Sequence, residues 1–295
     1  MPLSIKPINP DRPAFGGEVH GLNIAQGVTA EEAAQIEAGM DHYAVLVVPG
    51  QIIDDSQQFA FSQHFGPMEK ATGDPARAGQ RRLSLDINDI SNLDQHGGVM
   101  ARDDRRRLFS LGNMLWHSDS SFKPTPAKFS LLSARSIPGE GGNTEFADMR
   151  AAWDALDEAT QAKCKDLVCE HSQLFSRGVL GFTDWDAAER QQNTPVPQRL
   201  VRRHPNTGRL SLYLSSHAGE IRGWLTPDAR LFLRDLTEHA TQRRFVYAHR
   251  WRQWDLVIWD NRVVMHRARP YDQTQVRDLH RTTVSDRAPT LEQPL

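Results

Sequence analysis

With 295 residues, 39% hydrophobic and 24% charged, the chain is long enough for a sizeable core and far from a disordered composition. A net charge of −2 and an isoelectric point near 6.6 exclude a dedicated nucleic-acid binder, whose affinity rests on a concentrated basic face. The basic cluster Arg102, Arg105, Arg106 and Arg107 has Asp103 and Asp104 inside it and reads as a solvated charged stretch. Two cysteines, Cys164 and Cys169, are too few for a disulfide framework. The N-terminus has no basic region followed by an apolar one, and no apolar run approaches the roughly 18 residues of a membrane span. Reducing cytoplasm is therefore the expected compartment, with no membrane partner.

In chain order, a helix is expected from about Ala30 to Met40, followed by the apolar run AVLVV as a buried strand ending at Pro49-Gly50. A second helix, capped from Asp54, Asp55 and Ser56, runs through QQFAFSQHF to Gly66-Pro67. From Met68 to Asn113 periodicity is weak, and a stretch this long inside a compact enzyme points to a lid or binding loop. Strands follow at 129–134 and 144–148, then a helical pair from Met149 to Val168. The stretch Ser172 to Gln198 reads as loop-rich. A hairpin turns at Pro205-Asn206-Thr207-Gly208, and a helix from Pro227 to Ala240 precedes the strands RFVYAHRW, DLVIWD, VVMHRA and HRTTVSD.

Many short strands, with helices mostly ahead of them, predict a mainly β protein with helical decoration, a sandwich or jelly roll. No linker-like tract interrupts the chain, so residues 1–295 are expected to form one domain, with a lid or insert at about 68–113 and the loop-rich segment at about 172–198. The dipeptides Trp254-Asp255 and Trp259-Asp260 lie too close together for propeller blades, and GEGGNTEF, lacking the GK[ST] ending of a phosphate loop, reads as a turn between strands.

One short motif carries metal chemistry. In LWHSDSSF, His117 and Asp119 are two apart, so an extended backbone points both at one ion. Two histidines and one carboxylate on one face hold iron(II) and leave coordination positions open for oxygen. With 12 histidines in the chain, one His-x-Asp is about what chance supplies, so the motif alone is weak. A third ligand must come from a distant strand. His266 in WDNRVVMHRARPYD sits on one face with Val264, against Val263 and Met265. His204, His217, His249 and His280 also lie in or beside strand-like runs, and periodicity alone does not choose among them. Arg277 and Arg281, four apart in QVRDLHRTTV, share a face if this run is one strand, and two buried cations need anions to meet them. Pairing with Asp278 or exposure to solvent remains open for both.

The segments VLVVPGQ, FSQHFGPME, GNMLWHSDSSF, GGNTEFADMRAAWDAL, HPNTGR, HATQRRFVYAHRW and VIWDNRVVMHRARPYD resemble the iron(II), 2-oxoglutarate-dependent dioxygenases that include 2,4-dichlorophenoxyacetate, phenoxypropionate and taurine dioxygenases. HSDSSF, FADMRAA and HATQRRFVY are most similar to the herbicide-degrading aryloxyalkanoate branch. The resemblance implies a double-stranded β-helix, or jelly roll, with iron(II) held by His117, Asp119 and His266, and with 2-oxoglutarate and O2 as co-substrates. It implies that Thr144 and Arg277 hold the distal carboxylate of 2-oxoglutarate, that Arg281 meets the substrate's acid group, and that Asn113 and His217 touch substrate.

The activity so implied is hydroxylation of the carbon next to the ether oxygen of an aryloxyalkanoate, giving a phenol and glyoxylate with succinate and carbon dioxide. An alkyl sulfonate or sulfate dioxygenase is the alternative, and a non-catalytic jelly-roll binding protein the remote one. The expected partners are an anionic small molecule and further copies of the chain in a dimer, trimer or tetramer. Taurine dioxygenase has a His and a Tyr where this chain has about Ala71 and Asp74, which counts against taurine as substrate.

Overall fold

The computed structural model describes residues 2–71 and 81–295; Asp74 lies outside them. Seven strands form the larger sheet, in the order Ser4–Pro7, Gly17–His20, Val45–Val48, Leu256–Asp260, Ala127–Ser136, Asp278–Ser285, Asn88–Ser91. All neighbours are antiparallel except Gly17–His20 with Val45–Val48. A three-stranded sheet faces it, with Thr144–Asp148 between Val246–His249 and Val264–Ala268. The two open sheets stack as a jelly roll, the expected fold class.

Alternation decides what each face meets. Val45, Val47, Leu132, Val257, Trp259 and Leu279 point inward and pack on Phe146 and Val264 of the smaller sheet. Their neighbours Leu46, Val48, Leu131, Leu256 and Ile258 point outward against Ile36, Met40, Phe61 and Phe65. Strand Val45–Val48 is therefore buried on both sides, which is why it reads as an unbroken apolar run.

The helices start where their caps predict. Thr29 and Glu32 form a capping box on Ala30–Tyr43, and Asp54 with Gln57 does the same on Asp55–Gln63. The first helix runs past Met40 and ends at Ala44, in the left-handed region at φ 59. The pair after Met149 stops at Cys164, and Val168 already belongs to a strand. Helix Thr226–Ala240 packs Leu233, Leu236 and Ala240 beneath the smaller sheet, against Ala147 and Met265. Cys164 and Cys169 are free thiols buried in the same cluster. No described helix is long and apolar enough to cross a membrane.

The segment 172–198 corrects the loop-rich expectation: it holds helices Gln173–Val179 and Ala187–Gln192. The first buries Gln173, Ser176 and Arg177, polar residues that leave no apolar stripe, and the second buries none. The weakly periodic segment 68–113 supplies the edge strand Asn88–Ser91 and the helix Arg105–Ser110.

Candidate metal centre and active site

His117 and His266 face each other as a backbone pair. His117 N donates to the His266 carbonyl at 3.0 Å, and His266 N donates to that of His117 at 2.8 Å, so the segment before Asp119 extends the smaller sheet by one bridge. Ser118 turns away and donates to the Leu214 and Val264 carbonyls. Asp119 then returns to the side of His117. Its carboxylate oxygens lie 3.8 Å from His117 Nε2 and 3.7 Å from His266 Nε2, and the three potential ligand atoms all lie within 4.8 Å of one another. An ion between them meets all three at roughly 2–2.5 Å, ordinary metal–ligand lengths.

Protonation suits a cation. His117 Nδ1–H donates to the Leu115 carbonyl at 2.7 Å, which leaves the Nε2 lone pair directed at the centre. Burial pushes the pKa of both histidines down, so they stay neutral. Burial alone raises that of Asp119, but the charge of Arg281 and the hydrogen bond from Ser130 outweigh it and hold the carboxyl below the ordinary range. Ser130 Oγ donates to Asp119 Oδ2 at 2.7 Å. Asn261 completes the support: its Oδ1 accepts from Asp119 N and Trp259 Nε1, each at 3.0 Å, and its Nδ2 donates to Ser130 Oγ at 3.0 Å. The residues therefore fit a divalent metal.

Beside the triad opens a cavity of about 90 Å³ whose lining includes Thr144, Arg277, Leu132, Trp259 and Arg281. Arg277 immediately precedes strand Asp278–Ser285, and Leu279 on that strand points into the inner core. Arg277 and Arg281 both line the cavity, so they share its face. Asp278 pairs with Arg82 and His280 instead. Arg277 is 5% exposed. Its guanidinium reaches only the Gly142 carbonyl, at 3.5 Å, and the Tyr271 ring, at 5.5 Å, and makes no ion pair among the described residues. The turn through Gly141 brings that carbonyl close. Gly141 has φ +76, and a Cβ there would meet the Pro270 carbonyl oxygen at 2.6 Å. Thr144 Oγ1 accepts from Trp251 Nε1 at 3.0 Å, which leaves its own proton to donate.

A second chamber adjoins the first, sharing His117, Asn113 and Arg281 with it, and is lined also by Asp119, Phe109, Phe122, Arg177 and His217 among others. Arg281 Nη1 donates to Asp119 Oδ1 at 2.5 Å, and its Nε has no partner among the described residues. The His217 ring lies 6.0 Å from that of His117, with Nδ1 2.9 Å from Ser176 Oγ. The other competing histidines are engaged elsewhere: His204 with Asp260, His249 with Asp255, and His280 with Asp55. Sequence reasoning missed Ser130, Asn261 and Arg177. Only Ser130 left a trace, as a small polar residue at an inward position of an apolar strand.

The family model described as "Taurine catabolism dioxygenase TauD, TfdA family" matches residues 4–283. The chain belongs to the TauD/TfdA dioxygenase family. Among its TauD/TfdA relatives, the alpha-ketoglutarate-dependent 2,4-dichlorophenoxyacetate dioxygenase of Cupriavidus pinatubonensis is 43% identical over 280 residues, 95% of this chain and 98% of the relative. The (S)-phenoxypropionate/alpha-ketoglutarate-dioxygenase of Delftia acidovorans is 38% identical over 275 residues, 90% of each chain. The crystal structure of AAD-2 in complex with Mn(II) and N-oxalylglycine superposes with a TM-score of 0.94 at 54% identity, covering 98% of this chain and all of that one.

Proposed function

We propose that the protein is an Fe(II)- and 2-oxoglutarate-dependent dioxygenase that hydroxylates the carbon between ether oxygen and carboxylate in an aryloxyalkanoate such as 2,4-dichlorophenoxyacetate. The observation that carries this reading is the buried His117–Asp119–His266 triad opening on a cavity where Arg277 is a cation with no ion pair among the described residues. Kinship with relatives named as dioxygenases of 2,4-dichlorophenoxyacetate and of (S)-phenoxypropionate supports the substrate class.

In this reading His117, Asp119 and His266 hold the metal. Arg277 and the Thr144 hydroxyl take the distal carboxylate of 2-oxoglutarate by charge-assisted hydrogen bonds. The oxygen chemistry is supplied by iron(II) and 2-oxoglutarate: one oxygen atom goes to succinate as carbon dioxide leaves, and the other goes to the substrate carbon. The resulting hemiacetal collapses to a phenol and glyoxylate.

The protein's part is to orient the substrate and shield the reaction from water. Arg281, held to Asp119 through one nitrogen, offers its remaining N–H groups to the substrate's acid group. Asn113 and His217 line the same chamber and limit how the substrate can lie. The test is anaerobic loading with iron(II) and 2-oxoglutarate, then oxygen and a panel of aryloxyacetates, 2-aryloxypropionates and alkyl sulfonates, with succinate measured. Succinate that depends on an aryloxyalkanoate is the expected result. Dependence on sulfonates alone refutes the proposed substrate.

A further inference from the structure

The reaction described above leaves one buried cation of the active-site chamber without a task. Arg177 projects from helix Gln173–Val179 and is 5% exposed, so its charge has been taken out of water. Its contacts are uncharged. Nη1 donates to Ser176 Oγ at 3.1 Å, and the guanidinium carbon sits 4.4 Å from the centre of the Phe109 ring. Nε has no hydrogen-bond partner, and no carboxylate pairs with the group, among the described residues. Burial lowers its pKa to about 10, which still leaves it a cation at neutral pH.

Such an arrangement is expensive unless something brings an anion, because a buried charge needs a partner to offset its lost hydration. The surroundings are shaped to hold the guanidinium in place. A Cβ on Gly112 would lie 2.4 Å from Arg177 Cζ, so any other residue there would push the guanidinium aside. Its position is close to the metal centre. Ser176, which accepts from Arg177, is hydrogen-bonded to His217, whose ring lies 6.0 Å from that of His117. The neighbouring cations are otherwise engaged: Arg281 gives one nitrogen to Asp119, and Arg277 faces the other cavity.

We propose that Arg177 is a substrate-binding residue that takes the carboxylate of the organic acid, across the chamber from Arg281. The inference rests on the reading of this site as a dioxygenase for organic acids. Arg177 lines the same chamber as His117 and Asp119, so the carboxylate it takes shares that space with the carbon that reacts. Two guanidiniums on one carboxylate fix its plane, and with it the carbon presented to the metal.

Binding is measured by calorimetric titration of the iron(II)- and 2-oxoglutarate-loaded protein without oxygen, using 2,4-dichlorophenoxyacetate and its uncharged methyl ester. Arg177→Leu should weaken binding of the acid at least about tenfold, roughly 1.4 kcal/mol, and leave the ester and 2-oxoglutarate within about twofold. Arg177→Lys should recover part of the loss, and Gly112→Ala should reproduce it by displacing the guanidinium. Without ligands, the unfolding midpoint of Arg177→Leu should be equal to or above that of the parent, because an uncompensated buried charge has gone.

Acid affinity within threefold of the parent overturns the assignment. So does an equal loss of acid and ester together with a lowered midpoint, the mark of a structural arginine. If the parent turns over the acid and Arg177→Leu binds it normally, the role of Arg177 fails and the proposed reaction stands. If acid binding depends on Arg177 but no succinate forms, the reaction fails and the role of Arg177 stands.

Discussion

Replacing Arg277 by Leu should raise the KM for 2-oxoglutarate by roughly 30- to 150-fold. The magnitude follows from its surroundings. The guanidinium is buried, its only hydrogen bond is a long one of 3.5 Å to the Gly142 carbonyl, and no acid pairs with it among the described residues. Nearly all of its donor capacity is thus available to the distal carboxylate of the co-substrate. Hydrogen bonds to charged groups contribute about 1.5–3 kcal/mol each, and a net loss of about 2–3 kcal/mol corresponds to that range of KM. Leucine fills the space without a charge, so the apo protein should melt no lower than the parent. The assay is succinate formation against 2-oxoglutarate concentration at saturating aryloxyacetate, with thermal unfolding measured alongside. A KM within threefold of the parent, or an equal loss for both substrates, would refute the reasoning.

His117→Ala and Asp119→Ala should each abolish succinate formation and iron retention, since two protein ligands rarely hold iron(II) against water; activity with iron still bound would remove the residue from the metal set. Arg281→Leu should raise the aryloxyacetate KM at least about tenfold with little change for 2-oxoglutarate, and should raise the succinate formed per phenol released. Asn261→Leu leaves Trp259 Nε1 and Asp119 N unpaired in the interior, so it should lower stability by about 2–4 kcal/mol in denaturant titration and weaken iron binding. A pH effect comes from His280. Burial lowers its pKa, but hydrogen bonds and charge from Asp278 and Asp55 outweigh this and raise it, with Arg82 and Arg135 also near those acids. A histidine that holds its proton more tightly when folded stabilises fully below its unfolded pKa of about 6.5 and loses that contribution as pH rises through the folded value. Thermal unfolding from about pH 6 to pH 8.5 should therefore cost the parent more than His280→Gln, and parallel profiles would dismiss the effect.

The sequence shows most clearly what alternation and caps control. Val45–Val48 reads as buried because both faces pack, and Asp54 caps the second helix as expected, but the first helix runs past Met40 to Tyr43 and the second stops at Gln63, short of Gly66-Pro67. The pairing of His117 with His266 was not legible from periodicity, since five histidines sat in or beside strand-like runs and the antiparallel bridge that selects one of them spans 149 residues, from 117 to 266. Resemblance, not pattern, singled out His266. Arg177 was invisible for a different reason: its helix buries polar residues, so it has no apolar face to announce it. Asn261 gave no signal of its own, and only the folded chain shows it linking Trp259, Ser130 and Asp119.

The central claim is that aryloxyalkanoate hydroxylation is coupled to 2-oxoglutarate at the His117–Asp119–His266 centre, and its stoichiometry under ¹⁸O₂ tests it most directly. With 2,4-dichlorophenoxyacetate, the account predicts one phenol and one glyoxylate per succinate, each succinate carrying one labelled oxygen, and none of these products from Asp119→Ala. Phenol released without succinate, or succinate that carries no label, would contradict it.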